Sequence, residues 1–335
     1  MKKYFVISDI HSFASIMKNA LKYNGYDKEN PEHILIVCGD VFDRGGETAE
    51  VYNFLKSIPE DRCILIRGNH EQLYFDLLNK DFPQSYDFSN GTVRTFCHIA
   101  GSELNDMDII DKAPYDLKYD PKHFHFVRHH YSDDVWTLED LWNKIKNAVQ
   151  NSEVTKWLRS DRWINYYELD KYIFVHSFIP LTWESERGLT EDYCVYYAWT
   201  QMFKERPDWR NATTKEWNTA AWGCPYKFFD AGLFNQELKN DKILVCGHYR
   251  CSEFNEHYLY DFTDNSDIYF GKNLIAIDAT TAWSKQVNVL VIEDGVCYSN
   301  GKKLVEKEPK RPKWMDVRTI TIKKEGDSYE PTNEN

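Results

Sequence analysis

Polar stretches separate five short apolar runs in this chain: Tyr4 to Ile7, Ile34 to Cys38, Cys63 to Ile66, Tyr172 to Val175 and Ile243 to Cys246. Each is rich in β-branched or aromatic residues and too short for a helix, so each reads as a buried strand. Each also ends directly in polar residues. Between the first two runs, Phe13, Ile16, Met17, Ala20 and Leu21 recur at helical spacing, and between the second and third Val51, Phe54, Leu55 and Ile58 do the same. The order β-α-β-α-β, in units of roughly 30 residues, predicts a parallel sheet with right-handed crossovers. The strand C-terminal ends then share one edge of that sheet, where ligand sites of open α/β folds collect.

The alternation stops from about Asn79 to Asp170. That segment holds a polar stretch, Asn105 to Asp134, and two helix-like pieces, Leu138 to Val149 and Glu153 to Arg159, and it reads as a helical insertion. A second, aromatic-rich excursion runs from Leu181 to about Asn218. Nine of the eleven tryptophans lie between Trp136 and Trp222, more side-chain area than a solvated linker carries, so the region is expected to pack as a cap. Beyond Cys246 the chain turns strand-like again at Leu274 to Ile277, Val287 to Ile292 and Val296 to Ser299, with Gly295 and Gly301 at turns. Antiparallel hairpins are expected there, as a second sheet packed on the first. The organisation predicted is one domain over 1–305, with insertions at about 79–170 and 181–218, and then an extension, 306–335, that is polar at its end.

Composition narrows the function. With 335 residues, 42% hydrophobic and 28% charged, the chain has ordinary globular usage, which excludes disordered, collagenous and fibrous classes. Forty-one Lys and Arg against fifty-three Asp and Glu give a net charge of -12, which argues against a duplex nucleic-acid binder. The first apolar run meets a charge too soon for a signal-peptide core and no later window is long enough for a bilayer, so a cytoplasmic protein without a membrane partner is expected. The eight scattered cysteines agree with a thiol-reduced compartment, because Cys38, Cys63 and Cys246 sit inside apolar runs and no CxxC pair occurs.

The candidate chemistry lies in the polar residues that close each strand. Asp9-Ile10-His11 closes the first; Gly39-Asp40-Val41-Phe42-Asp43-Arg44-Gly45 the second; Gly68-Asn69-His70-Glu71 the third; His176 the fourth; and Gly247-His248-Tyr249-Arg250 the fifth. Carboxylate, amide and imidazole donors raised together form a mixed N/O set suited to manganese, iron or zinc rather than calcium. Two divalent ions are the natural count. Asp40, on the central of the first three strands, can bridge them, since neighbouring strands lie about 5 Å to either side. Any one of these motifs alone is an ordinary loop feature; the set of them at successive strand ends is not.

These residues resemble the calcineurin-like metallophosphoesterases, and within them the phosphoprotein-phosphatase branch that holds serine/threonine phosphatases and the phage lambda-type phosphatase. The branch signature GDxHG, GDxVDRG, GNHE, HAG and GHxP appears here as Asp9 to Ser12, Gly39 to Gly45, Gly68 to Glu71, His176 to Phe178 and Gly247 to Arg250. The resemblance covers roughly residues 1–78, 170–180 and 222–293 and leaves the insertions unmatched. It implies an α/β fold with a four-layer β-sandwich core flanked by helices, carrying a helical, aromatic-rich insertion. It implies that Asp9 and His11 hold one metal, that Asp40 bridges, and that Asn69, His176 and His248 hold the second. His70 would be the general acid, oriented by Asp43, and Arg44 would clamp the phosphate.

The implied reaction is hydrolysis of phosphate monoesters by a hydroxide bridging two divalent metals, manganese foremost, without a covalent phosphoenzyme. The implied substrate is a phosphorylated one, a Ser/Thr phosphoprotein; the alternative is a dinucleoside polyphosphate or another nucleotide. A non-catalytic binding module is disfavoured by the complete ligand set. Departures from the pattern are Ser8 and Ser12 in the first motif and Ser177-Phe178 after His176. A second phosphate-binding arginine of the lambda-type enzymes is missing after Trp222. Lys227 could stand in for it, and Arg250 is the better candidate. Arg67 and Glu71 read as structural supports of the Gly-Asn-His loop, and His123, His125, His129 and His130 as surface histidines.

Overall fold

A computed structural model of the protein describes residues 2–101, 125–127, 135–183 and 202–310. The histidines between 123 and 130 lie outside the described side chains. The strands are β1 (Lys3–Ile7), β2 (His33–Cys38), β3 (Cys63–Ile66), β4 (His125–Val127), β5 (Val135–Thr137), β6 (Trp163–Ile164), β7 (Tyr167–Leu169), β8 (Tyr172–Phe174), β9 (Leu181–Trp183), β10 (Phe203–Glu205), β11 (Ile243–Arg250), β12 (Tyr269–Phe270), β13 (Leu274–Asp278), β14 (Leu290–Glu293), β15 (Val296–Ser299) and β16 (Lys302–Lys303). The helices are α1 (Ala14–Tyr23), α2 (Thr48–Lys56), α3 (Asn69–Leu78), α4 (Ser85–Ser89), α5 (Thr92–Ile99), α6 (Leu138–Asn151), α7 (Glu153–Leu158), α8 (Thr214–Ala220), α9 (Pro225–Asp230), α10 (Asn235–Leu238), α11 (Cys251–Leu259) and α12 (Thr281–Ser284).

All five apolar runs are strands, but they divide between two sheets. A seven-stranded sheet has the order β16-β15-β14-β1-β2-β3-β6, and a five-stranded one the order β12-β13-β11-β8-β7. In the first sheet β1, β2 and β3 run parallel, pairing Phe5 with Leu35 and Val37 with Leu65. In the second, β8, β11 and β13 run parallel. The single edge expected from the sequence is therefore two edges brought together.

The alternation of side chains along each strand builds the layers. Phe5, Ile7, Leu35, Val37 and Leu65 pack outward on α1, α2 and the helices of the first insertion. Val6, Ile36, Cys38 and Ile66 point inward, where they meet Tyr172, Phe174, Val245, Ile275 and Ile277 of the second sheet. The outer face of that second sheet, with Ile173, Leu244 and Ala276, is covered by Trp217, Phe228, Phe234 and Phe254. Helices, sheet, sheet, helices is the four-layer sandwich expected.

Two expectations about the C-terminal strands are corrected. Leu274 to Ile277 forms no hairpin with its successors but runs parallel beside β11. The β14–β15 hairpin joins the first sheet, antiparallel to β1, pairing Phe5 with Val291. Local patterning identified the strands, while the choice of neighbour was set by inter-sheet burial of Leu290, Ile292 and Cys297. The helix-like pieces of the first insertion are α6 and α7, and their Trp142, Val149 and Trp157 are core residues of the first half rather than a free-standing cap. Among the described residues no helix is long and apolar enough to cross a membrane.

Candidate metal centre and active site

The ligand loops are short and held in conformations that side-chain-bearing residues rarely adopt. Asp9, His11, Ser12, Asp40, Asp43, Arg44 and His248 all have φ between 51° and 73°. Such conformations cost of order 1 kcal/mol or more each and persist where surrounding contacts over-determine them. One glycine shows why the turns are so tight. Gly39 has φ 83°, and a Cβ there would lie 2.6 Å from His176 Nδ1 and 2.7 Å from Gly68 Cα. Hydrogen bonds do the fixing: Glu71 accepts from the backbone N–H groups of Asp40 at 3.0 Å, Val41 at 3.0 Å and Gly68 at 2.7 Å. Glu71 is thus the loop support the sequence suggested. Arg67 is one too, since its Nη1 donates to Leu158 O at 3.1 Å.

Around Asp40 the predicted ligands converge. Asp40 Oδ2 lies 3.8 Å from His11 Nε2 and 3.9 Å from His70 Nε2, and Asp40 Oδ1 lies 3.4 Å from His176 Nε2. Two clusters, His11-Asp40-His70 and Asp40-His176-His248, share that one carboxylate, with donor atoms in each within 4.8 Å of one another. Asp9 Oδ1 is 4.0 Å from His11 Nε2, and Asp9 Oδ2 accepts from His248 N–H at 3.0 Å and from Ser8 Oγ. Asn69 Oδ1 is 2.8 Å from His176 Nε2.

The donor set fits divalent cations, for a reason visible in the hydrogen bonds. His11 Nδ1 is 3.0 Å from Phe42 O and His176 Nδ1 is 2.8 Å from Cys38 O, so in each ring Nδ1 carries the proton. The Nε2 lone pairs then face carboxylate and amide oxygens, acceptor against acceptor. A proton or a metal must lie between them, and burial lowers the proton affinity of His11 and of His248. Burial also pushes Asp9 and Asp40 up, with the charge of Asp278 adding to Asp9 and that of Glu71 to Asp40. Carboxylates and neutral imidazoles crowded out of water are relieved together by a cation.

His70 has a different environment. Its Nδ1 is 2.7 Å from Asp43 Oδ2, and its Nε2 is 3.3 Å from Arg44 Nη2. Asp43 also accepts from Thr92 Oγ1 at 2.8 Å and Thr95 Oγ1 at 2.7 Å, while burial pushes its carboxyl up to about 7 against those bonds. Burial and then the Arg44 charge lower His70. Arg44 is steadied on its far side by the Trp283 ring, 5.5 Å from its Cζ.

Asp9, His11, Asp40, Arg44, Asn69, His70 and His248 line a cleft of about 610 Å³ together with Trp222, Arg250, Asp264 and Asp278. Arg250 sits at the rim, half exposed and paired with Glu253 at 2.9 Å. Lys227 is exposed on α9 and is not among the residues that line the cleft. Thr92, Thr95, Asp278 and Trp283 were not singled out from sequence. Asp278 carried the same signal as the others, a polar residue ending an apolar strand; the two threonines, on a short insertion helix, carried none.

Comparison with known proteins decides the family: the profile described as calcineurin-like phosphoesterase matches residues 2–276. The chain belongs to the calcineurin-like phosphoesterase family. Members use divalent metals and are hydrolases, in accord with the cluster around Asp40. Shewanella-like protein phosphatase 1 of Plasmodium berghei (strain Anka) is 38% identical over 92 residues, which cover 23% of this chain. The match spans a quarter of that relative's length, 25%. Among solved structures, a cold-active protein-tyrosine phosphatase of a psychrophilic Shewanella species is 17% identical, covering 92% of this chain and 81% of its own, at a TM-score of 0.49. A protein serine/threonine phosphatase from Saccharomyces cerevisiae is 12% identical, covering 93% and 82%, at 0.41. At these scores the structural likenesses carry no weight for function.

Proposed function

We propose that this calcineurin-like phosphoesterase is a phosphoprotein phosphatase that removes phosphate from seryl or threonyl side chains, with manganese as its metal. One observation carries the reading: the two oxygens of Asp40 each face an imidazole Nε2 whose lone pair is free, which is the geometry of a carboxylate shared between two cation sites. Asp9, His11 and Asp40 would hold one cation; Asp40, Asn69, His176 and His248 would hold the other. When bound, such a pair polarises the phosphoryl group and makes water nucleophilic at neutral pH.

The remaining residues handle charge and protons. Asp43 orients His70 through Nδ1 and leaves Nε2 for the leaving alkoxide oxygen. Arg44 occupies that Nε2 in the free protein. A phosphate dianion draws the guanidinium fork onto its own oxygens, which uncovers His70 and lessens the cationic repulsion that adds to burial in disfavouring its charged form. Arg250, paired with Glu253 at the rim, would supply a second contact. The unit doing this is residues 1–305 with both insertions, 306–335 being an extension.

A protein substrate is favoured over a dinucleoside polyphosphate by the cleft wall. Asp264, Asp278 and Glu253 would lie beside any further phosphates, in a chain whose net charge is already -12. The testing experiment measures phosphate release from phosphoserine, phosphothreonine and phosphotyrosine peptides and from a dinucleoside tetraphosphate, in manganese, iron and zinc, alongside metal content per chain. Faster turnover of the tetraphosphate than of every peptide would overturn the substrate assignment.

A further inference from the structure

The mouth of the cleft carries an indole that folding leaves in water. Five large hydrophobic side chains are exposed among the described residues, and of these only Trp283, 73% exposed, lines the cleft. The cleft's other tryptophan, Trp222, is half-buried and meets the His248 ring edge-on, with ring centroids 5.8 Å apart.

The turn that carries Trp283 is fixed in place. Helix α12 lies between Thr280 and Lys285, which both have left-handed backbones, at φ 60° and 55°. For a β-branched residue such as Thr280 that conformation is rare and persists where contacts over-determine it. Those contacts are present: Asp278 Oδ1 accepts from the Thr280 N–H at 2.6 Å, and Thr280 O accepts from the Trp283 N–H at 2.9 Å. Thr281 is wholly buried, and Lys285 is engaged elsewhere, its Nζ 4.5 Å from the centre of the Phe13 ring. An exposed indole is therefore held at the cleft mouth by a turn anchored on the cleft residue Asp278.

Trp283 also adjoins the group expected to clamp phosphate, with Arg44 Cζ 5.5 Å from its ring centre. In an extended peptide, side chains two positions apart share a face, and their Cα atoms lie about 6.6–6.8 Å from each other. With a phosphorylated residue pointing at Arg44, the side chain two positions away descends on the rim beside the indole, while its immediate neighbours point outward. We infer, on the phosphoprotein reading of the cleft, that Trp283 is a specificity-determining residue that receives a large apolar or aromatic side chain two positions from the phosphorylated residue. A stacked ring covers apolar surface on both partners. A basic side chain could stack on an indole too, but here it would meet the Arg44 guanidinium already beside that ring, and like charges repel.

Steady-state phosphate release from phosphoserine peptides that differ at a single position tests this. Phenylalanine two residues before, or two residues after, phosphoserine is compared with glycine at the same place. Wild type is expected to favour phenylalanine at one of those positions by about three- to tenfold in kcat/KM, the span of an aromatic pair, through KM with kcat unchanged. Trp283→Ala is expected to lose the preference and Trp283→Phe to keep it. Any effect of the substitution on Arg44 is common to all the peptides and cancels in the ratio. Equal kcat/KM for phenylalanine and glycine peptides in wild type, or a preference that survives in Trp283→Ala, would overturn the inference and leave the phosphoprotein reading standing. An equal gain from arginine would overturn the apolar assignment, and an equal gain from phenylalanine directly beside phosphoserine would overturn the spacing. Turnover of a dinucleoside tetraphosphate with none of any peptide would overturn the phosphoprotein reading and the inference with it.

Discussion

His70 and Asp43 are joined Nδ1 to Oδ2 at 2.7 Å, both almost wholly buried, and the other face of the Asp43 carboxylate is tied to an insertion helix. That bond fixes the tautomer of His70, so Asp43→Asn, which turns an acceptor into a possible donor, should leave the ring misoriented. We expect kcat to fall roughly 100- to 10,000-fold, the usual span for losing a general acid. KM and metal content should stay near wild type, and His70→Asn should behave alike. Loss of metal from either variant, read by elemental analysis, would show that His70 acts as a ligand instead.

The insertion itself enters the chemistry through Thr92 and Thr95. Thr92→Val and Thr95→Val keep the shape of the side chain; the first removes one hydrogen bond and the second two, since Thr95 Oγ1 also accepts from the Asp43 N–H, each bond worth about 1 kcal/mol or roughly fivefold. The loss is expected in kcat with KM unchanged, and the double variant should exceed either single one. Equal kcat in all of them would detach the insertion from catalysis.

If Asp40 is the shared ligand, as proposed, Asp40→Asn should lose the metal pair and all turnover. Removing bound metal from wild type with a chelator should lower unfolding free energy by about 3 kcal/mol when metal was held at 100-fold over its Kd. The Asn variant should be insensitive to chelator. Because burial and the Glu71 charge already crowd Asp40, its metal-free form should be at least as stable as metal-free wild type. Urea midpoints with and without chelator give the comparison.

Gly39→Ala places a methyl group against His176 and Gly68 at a left-handed backbone position. The backbone alone should cost about 1–3 kcal/mol. The displaced His176 should also release the second metal, giving fewer ions per chain than wild type. A stable variant with full metal content would mean the turn relaxes freely.

Away from the site, Arg210 binds Glu237 through Nη1 at 2.9 Å and Nη2 at 3.1 Å, and Glu168 through Nε at 2.6 Å. Burial pushes Glu237 up, but the bonds from Arg210 and Trp209 outweigh it and hold the carboxyl below its usual value. A depressed pKa contributes stability that is present above the unfolded value and lost as pH falls through the folded one. Arg210→Leu should therefore destabilise strongly at neutral pH and progressively less below about pH 4, the region where free carboxylates protonate. A penalty independent of pH would point to lost packing on Trp209.

Features that depend on neighbouring residues in the chain were legible in the sequence, and features that depend on distant ones were not. The five strands and the polar residues closing them are local patterns, so Asp9, Asp40, Asn69, His176 and His248 could be picked out one by one. Pairing is not local. Nothing near Val287 to Ile292 tells that hairpin to seek β1 rather than β13; the decision is made by residues of two sheets burying one another. The same holds for Thr92 and Thr95, whose spacing is that of any short helix and whose meaning comes only from reaching Asp43 across about fifty residues of chain. Lys227 shows the converse: a position counted from Trp222 says nothing of the turn of α9, which carries that side chain to the surface.

Because Asp9, His11, Asp40 and Asn69 come from one sheet and His176 and His248 from the other, the centre is also a gauge of their mutual alignment. A slip of one residue along a strand is about 3.3 Å, nearly the whole separation between Asp40 and His176. A molecule assembled one step out of register would hold its halves together through the greasy interior and still be unable to gather its ions, so only a correctly seated pair of sheets can ever turn over substrate.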